Sequence, residues 1–224
     1  MVSIPSNTKY CVSAIVSAYN SERYIAGRLQ NLIDQTLYQK KQLEVIIVDS
    51  CSPQNEGQYV KEMMRQFKHI VYVRTAKRES VYGAWNLGIR LANGKYFINA
   101  NSDDRFAEFA LEKMSDEMEA NSDVDAVYGD WLQTEAENDQ FDSDTPKTLV
   151  NYPEFNPLLL FHGQITSHAA LIRKDVFEKI GLFKENFKVY GDREFMLRLA
   201  TNGLKAKKIP EVVGLYLKNP NGLE

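Results

Sequence analysis

The run Lys-Tyr-Phe-Ile-Asn-Ala-Asn-Ser-Asp-Asp-Arg at 95–105 begins like a buried strand and ends in two adjacent carboxylates, Asp103 and Asp104. Like charges side by side at the carboxyl end of a strand either cap the next helix or hold something positive. Other polar groups close comparable apolar runs: Ser17, Tyr19 and Asn20 in one case, Asp49 and Ser50 in another. No G-x-G and no G-x-x-x-x-G-K-[ST] occurs in the chain, so the glycine devices that cradle phosphates are missing. A diphosphate would need another counter-charge, and a hard divalent cation held by one or two carboxylates supplies it. In this setting the cation reading of Asp103-Asp104 outweighs the helix cap.

A further carboxylate stands out at 192. In GDREFMLRLATNGL (191–204), Phe195, Met196, Leu199 and Ala200 form the apolar face of a helix that stops at Gly203. Glu194 and Arg198 read as an exposed i,i+4 pair. Asp192 shares the inward face with Met196 and Leu199. It is an N-cap or a placed base, and the cap lacks reciprocal support because the residue three positions on is Phe195.

These groups need a scaffold that brings strand ends together. CVSAIVSAY (11–19), LEVIIVDS (43–50), HIVYVRTA (69–76) and KYFINAN (95–101) read as strands. Val45 to Val48 are apolar without alternation, as in a strand buried on both faces. Ile25, Leu29, Leu32 and Ile33 recur at helical spacing, as do Tyr59, Val60, Met63 and Phe67, and a third helix fits 82–92. The alternation predicts an α/β sheet with right-handed crossovers, binding ligands beyond the carboxyl ends of its strands. A helix from Phe106 to Ala120 is expected next, then an exposed, mobile loop over the acidic stretch 135–146, solvated or serving as a lid. SHAALIRKDVFEKIGLF (167–183) reads as strand, short helix and turn.

Composition excludes several classes. The 224 residues suit one domain, and 27 basic against 30 acidic residues give a net charge of −3 with no basic run longer than two. That is no footprint for a nucleic-acid polymer or an anionic membrane. No apolar run is long enough to span a bilayer, and no signal-peptide core is evident. Cys11 and Cys51 read as unbridged, which suits a reducing, cytoplasmic setting, with action at the membrane face left open. His69, His162 and His168 lack close metal-ligand spacing and read as structural, His168 being the better placed for an acceptor or metal contact. Trp85 and Trp131 read as core rather than sugar platforms. The ending Asn-Pro-Asn-Gly-Leu-Glu suggests a piece of a longer protein.

Four segments in order resemble the family 2 glycosyltransferases. They are SAIVSAYNSERYIAGRLQNLIDQTL, LEVIIVDSCSPQNE, GAWNLGIRLANGKYFINANSDDRF and GDREFMLRL. The resemblance runs from about Val12 to about Leu217 and implies the GT-A fold, a nucleotide-diphospho-sugar transferase with a Rossmann-like, mainly parallel sheet flanked by helices. It implies a single domain over 1–224, with a nucleotide-sugar half at about 10–104 and an acceptor and catalytic half at about 105–224. Ser17 and Tyr19 would line the nucleobase pocket, with Tyr19 stacking on the base and Asp49 accepting its N–H. Asn20 and Glu22 match the Tyr-Asn-x-Glu stretch, and Arg78 and Asn86 would lie near the diphosphate or the sugar. Asn101 would bond the ribose, Asp103 would bind Mn2+ or Mg2+ with Asp104 nearby, and Asp192 would be the base. Tyr19 also reads as a strand-end aromatic, and Asp49 as a turn former.

The implied activity is metal-dependent, inverting and non-processive transfer of a sugar, expected from UDP, to a carbohydrate or other hydroxyl acceptor, as in glycan or polysaccharide biosynthesis. The pattern departs at Asn101, where the family has aspartate, and at Gly191, where it has an acidic residue. These departures keep a degenerate nucleotide-sugar-binding module as an alternative. A sugar nucleotidyltransferase is a second, although Tyr19-Asn20-Ser21-Glu22 replaces the basic glycine loop that such an enzyme needs.

Overall fold

The computed structural model describes residues 9–161, 163, 166–167 and 169–218. Four strands run parallel: β1 (Tyr10–Ala18), β2 (Leu43–Asp49), β3 (Ile70–Arg74) and β4 (Gly94–Asn99). Between them lie α1 (Glu22–Ile33), the single turn α2 (Thr36–Gln39), α3 (Glu56–Gln66) and α4 (Val81–Leu91). Every residue of β2 is buried, as its unbroken apolar run requires. Alternate side chains of β1 serve opposite layers. Val12, Ala14 and Val16 pack with Ile25, Leu29 and Leu111 on one face, while Ile15 joins Trp85, Phe177, Phe195 and Leu199 on the other.

The second half extends this sheet. In chain order come β5 (Arg105–Phe106), α5 (Ala110–Ala120), β6 (Ala126–Thr134), β7 (Thr148–Val150), a 3-10 turn (Pro157–Phe161), β8 (Leu171–Arg173), α6 (Lys174–Ile180), α7 (Gly191–Thr201) and β9 (Ala206–Leu217). The strand order among the described residues is β3-β2-β1-β4-β8-β6-β9-β5, with β7 beside β6. β8 meets β4 antiparallel, and β1 sits between β2 and β4. Strand order therefore reverses at β1 and β4, which opens a crevice at their carboxyl ends.

Three expectations change. The helix expected from Phe106 starts at Ala110, because Arg105 and Phe106 pair instead with Leu215 and Gly214 of β9. Phe109 holds the N-cap position, so neither Asp103 nor Asp104 caps this helix. The Glu194–Arg198 pair forms at 2.8 Å but is largely covered, at 14% and 19% side-chain exposure. Arg198 reaches on to the carbonyls of Ile180 and Leu182 and ties α7 to the end of α6. His162, His168 and the closing Asn-Pro-Asn-Gly-Leu-Glu lie outside the described residues.

The acidic stretch 135–146 is the third change, since it is folded and docked rather than free. Asp139 is buried and accepts from Thr134 Oγ1 at 2.6 Å, from the Gln140 N–H at 2.8 Å and from Ser143. Glu137 pairs with Arg23 at 2.8 Å and accepts from the Tyr24 hydroxyl at 3.0 Å. Asn138 donates to the Arg23 carbonyl at 2.9 Å and accepts from Arg105 Nη2 at 2.6 Å. Polarity of composition marks surface, but only distant partners decide whether a polar loop is pinned.

Other readings hold. His69 hydrogen-bonds the Tyr10 hydroxyl at 2.9 Å, and both tryptophans are core residues, 4% and 1% exposed. Cys11 and Cys51 are free thiols, and no described helix is long and apolar enough to cross a membrane.

The docking of 135–146 is testable. Asn138→Ala removes both ties to Arg23 and Arg105, so limited proteolysis within the loop should speed up several-fold. Global stability, read by urea denaturation, should fall by about 1–3 kcal/mol, because the buried Arg105 guanidinium loses an acceptor. A loop that stays as protected as in the native protein would show that Asn138 does not hold it.

Candidate active site

One end of the crevice is built on Asp49, which lies beside Ala18 in the parallel register of β1 and β2. Its carboxylate is fully buried. Oδ1 accepts the Ser52 N–H at 2.8 Å, while Oδ2 accepts the Tyr72 hydroxyl and Arg74 Nη1, both at 2.6 Å. Burial, then the bond to Asp49, pushes the Tyr72 phenol up to about 12. Tyr72 and Arg74 escape a motif reading. Their signal is the alternation of polar side chains on β3, which places Arg74 opposite Asp49.

Tyr19 and Arg78, expected at the base and at the diphosphate, meet face to face, with the guanidinium carbon 3.9 Å from the ring centre. One face of Tyr19 thus carries a cation. Ser17 is half-buried near the end of β1, opposite Val48. Asn20 turns the chain at φ 52° and donates its N–H to Ser52 Oγ at 3.0 Å. Glu56, also fully buried, binds this loop to the next: it accepts from the Ser21 N–H at 2.7 Å and from Ser52 Oγ at 2.8 Å. Glu22 stands exposed in the first turn of α1, where a negative charge suits the helix dipole.

Asn86 serves as a bracket. It is 1% exposed; its Nδ2 donates to the Phe183 carbonyl and to Glu185, each at 2.9 Å, and its Oδ1 accepts the Phe183 N–H at 3.0 Å. Those bonds spend the amide on positioning the 183–185 segment, so the structure gives Asn86 a scaffold role where diphosphate or sugar contact was expected. Gly88, two residues on, lets α4 lie against β1, because a Cβ there would come within 2.4 Å of Ile15 Cγ2.

Just past the end of β4, Asn101 Nδ2 approaches Asp104 Oδ2 at 3.4 Å, and Asn101 Oδ1 is buried without a hydrogen-bond donor among the described residues. Asp104 is 2% exposed and its Oδ1 accepts the Leu217 N–H at 3.3 Å, whereas Asp103 is half-buried. Two buried arginines hold this acidic turn. Arg28 Nη1 donates to the Asp104 carbonyl at 3.0 Å, and Arg105 Nη1 donates to the same carbonyl at 2.7 Å and to that of Ser102 at 3.1 Å. Burial, then the neighbouring Arg105, pulls Arg28 down to about 9, while the Asp104 and Asp103 charges resist. Sequence offered a faint clue, a cation at 28 inside the apolar face formed by Ile25, Leu29 and Leu32.

Among the described residues no three His, Cys, Asp or Glu side chains gather into a metal-binding group. A cation here would rest on Asp103 and Asp104, with the ligand's phosphates completing its shell, which is how a hard divalent ion is commonly held. The donors are all oxygen, and the orphaned Asn101 Oδ1 adds another at the same turn. The residues fit such an ion.

Asp192 is the second residue of α7, two residues past the capping position, since Tyr190 is the N-cap at φ 61°. The Tyr82 hydroxyl instead accepts the Gly191 N–H at 2.7 Å. A Cβ on Gly191 would meet ring atoms of Tyr82 at 2.6–2.8 Å. The missing acidic side chain at 191 thus has a steric cause. Burial, then the charge of Asp192, raises the Tyr82 phenol to about 12. Tyr152 rises to about 12 through burial and then the charges of Asp192, Asp104 and Asp130.

Gly191→Ala should cost about 1–3 kcal/mol in urea denaturation, the range for overpacking a close contact. Pairing it with Tyr82→Ala should recover part of that loss relative to the sum of the single changes. Strict additivity would show that Tyr82 is not what excludes a side chain at 191.

The family model of Glycosyl transferase family 2 matches residues 13–181. An uncharacterized glycosyltransferase from Haemophilus influenzae is 25% identical over 218 residues, covering 94% of this chain and 66% of that protein. Among solved structures, S. aureus TarS 1-349 in complex with UDP-GlcNAc superposes with a TM-score of 0.74 at 19% identity, over 95% of this chain and 60% of that one. The mannosyltransferase PcManGT from Pyrobaculum calidifontis, in complex with GDP-Man and Mn2+, gives 0.71 at 19% identity, over 98% of this chain and 61% of that one. The chain spans about two thirds or less of the length of these relatives. The two structural likenesses support the GT-A fold, and the family match covers most of the sequence: this chain belongs to glycosyl transferase family 2.

Proposed function

We propose that the chain moves a sugar from a nucleoside-diphosphate sugar, with UDP the favoured carrier, to an acceptor hydroxyl with inversion at the anomeric carbon. The observation that carries this reading is the family 2 match over residues 13–181, with Asp103 and Asp104 in the turn after β4 and Asp192 in the first turn of α7. An inverting displacement needs opposite help at its two ends, a base for the incoming hydroxyl and positive charge for the departing diphosphate.

On the donor side, Tyr19 offers the ring face opposite Arg78 to a base, and the Asp49–Tyr72–Arg74 cluster offers an ordered polar edge beside it. UDP-GlcNAc in TarS and GDP-Man in PcManGT support a nucleotide sugar as the class of donor. Asp103, with Asp104, would hold Mn2+ or Mg2+, as the Mn2+ in PcManGT suggests. Such an ion, when bound, neutralises charge on the leaving diphosphate. Asn101, aimed at the ribose, keeps an unused oxygen for a hydroxyl or for the ion.

On the acceptor side, Asp192 takes the hydroxyl proton as that oxygen attacks the anomeric carbon. Its carboxylate is half-buried and carried by a helix whose first turn is anchored from α4 through Tyr82. The anchor matters because a base misplaced by about 1 Å can forfeit a hundredfold in rate. The docked 135–146 loop borders the acidic turn, since Arg105 donates both to Asn138 Oδ1 and to the Ser102 carbonyl. It forms a standing wall beside the acidic turn.

Two measurements test the reading. Titration with UDP and GDP, with and without Mn2+, should show a metal-enhanced nucleotide affinity that Asp103→Ala abolishes while the thermal transition stays cooperative. Mn2+-independent binding in the native protein, or enhancement surviving in Asp103→Ala, removes the metal from the proposal. Asp192→Asn should bind donor and Mn2+ as the native protein does yet lose transfer by about 10²–10⁴-fold, the usual worth of a general base. Wild-type turnover in that variant excludes Asp192 as the base. A native protein that binds UDP but neither transfers nor hydrolyses a UDP-sugar would be a binding module.

A further inference from the structure

Tyr190 breaks three local rules at once. It is the N-cap of α7, yet its side chain makes no capping hydrogen bond, where Ser, Thr, Asp or Asn would. It sits in the left-handed region, at φ 61° and ψ 18°, which a bulky residue rarely enters and which costs free energy. Its side chain is 61% exposed, so packing does not offset that cost. The surrounding bonds hold the strain in place. The Tyr190 carbonyl accepts the Glu194 N–H at 3.0 Å, the Gly191 N–H is tied to Tyr82, and Glu194 is clamped by Lys184 at 2.7 Å and Arg198 at 2.8 Å. Residues that violate local preference while their surroundings fix them cluster at functional sites.

Asp192 lies two residues on, and it lines one small cavity together with Asn99, the last residue of β4. The start of α7 therefore stands beside the crevice. Two further exposed apolar side chains, Leu158 and Leu159, are on the 3-10 turn that Arg193 holds against the same end of α7 through the Leu160 carbonyl, at 2.8 Å. We propose that Tyr190 is an acceptor platform, whose ring stacks on the apolar C–H face of an acceptor sugar and brings a hydroxyl of that sugar toward Asp192. A sugar ring suits this place because it joins an apolar face to hydroxyls at its rim. A lipid chain would give the ring a surface but offer no proton to a base beside it. Aromatic side chains make such contacts at low entropic cost, since they are rigid and lose few rotamers on binding. This role rests on Asp192 acting as the base of a sugar transfer, and it adds that the acceptor is itself a carbohydrate.

Release of UDP from UDP-GlcNAc and UDP-glucose, with Mn2+ present, should be accelerated by at least one of a set of methyl glycosides and disaccharides. Acceleration by long-chain alcohols alone, or by none of these compounds, overturns the proposal. With the sugar that accelerates most, Tyr190→Asn should raise the acceptor KM by about 10- to 30-fold, the scale for truncating an aromatic anchor, while the donor KM holds. Tyr190→Phe keeps the ring and should stay near the native values. An unchanged acceptor KM in Tyr190→Asn, or an equal rise in Tyr190→Phe, overturns the platform.

Stability gives a readout that needs no substrate. Asparagine enters the left-handed region readily and can cap a helix, so Tyr190→Asn should hold or raise the midpoint of urea denaturation. A clear fall would show that the ring supports the fold and would sink the functional reading of its strain. Asp192→Asn separates the two levels. Native turnover there fells the base, whereas a dead Asp192→Asn beside an unchanged acceptor KM in Tyr190→Asn fells only the platform.

Discussion

Two guanidinium groups buried under an acidic turn set the geometry of the crevice. Arg28 and Arg105 are 0% and 1% exposed, and taking such charges out of water costs several kcal/mol unless the protein replaces the lost solvation. It does so in part, with the carbonyls of Ser102 and Asp104, with the Phe106 ring 4.3 Å from the Arg28 guanidinium, and with the charges of Asp103 and Asp104. The replacement works only while the turn keeps its shape. The arginines therefore join α1 and β5 to the end of β4, and Asn138 extends the join to the 135–146 loop. β9 completes it, through the Leu217 N–H on Asp104.

The same logic separates fully buried acids that organise the loops from half-buried ones. Asp49 and Glu56 are fully buried, and each gathers hydrogen bonds from donors on more than one segment. They make the two loops above β1 and β2 into one surface. Asp103 and Asp192 are half-buried.

The helix that bears Asp192 depends on a contact from the other half of the chain. Tyr82 takes the Gly191 N–H and fills the volume where a side chain at 191 would go. An acidic residue at that point would clash with the ring. The loss of one acid in the motif is thus a packing consequence, and the next residue retains its place on the inward face. Asn86, also on α4, fixes the neighbouring 183–185 segment, so a single helix holds both the start of α7 and the segment before it.

Sequence by itself determined the parallel half, because hydrophobic periodicity and strand-end polarity are local properties of a chain. The apolar run at 45–48 had to be covered on both faces, and Asp49, Asp103 and Asp192 had to fall where strands and helices end. Local pattern also marked the helix at 191–201 and its inward face. Tertiary structure alone decided the rest. Pairing with β9 pulled Arg105 and Phe106 out of the expected helix, and Arg28 found its carbonyl 76 positions away. Tyr82 met Gly191 across 109 positions, and the acidic loop was pinned by residues more than a hundred positions distant. A hydrogen bond or a steric exclusion between such residues leaves no periodicity behind. It exists only once the chain has closed the loop between them, and the entropy of that closure is met by the burial of the whole sheet rather than by any local preference.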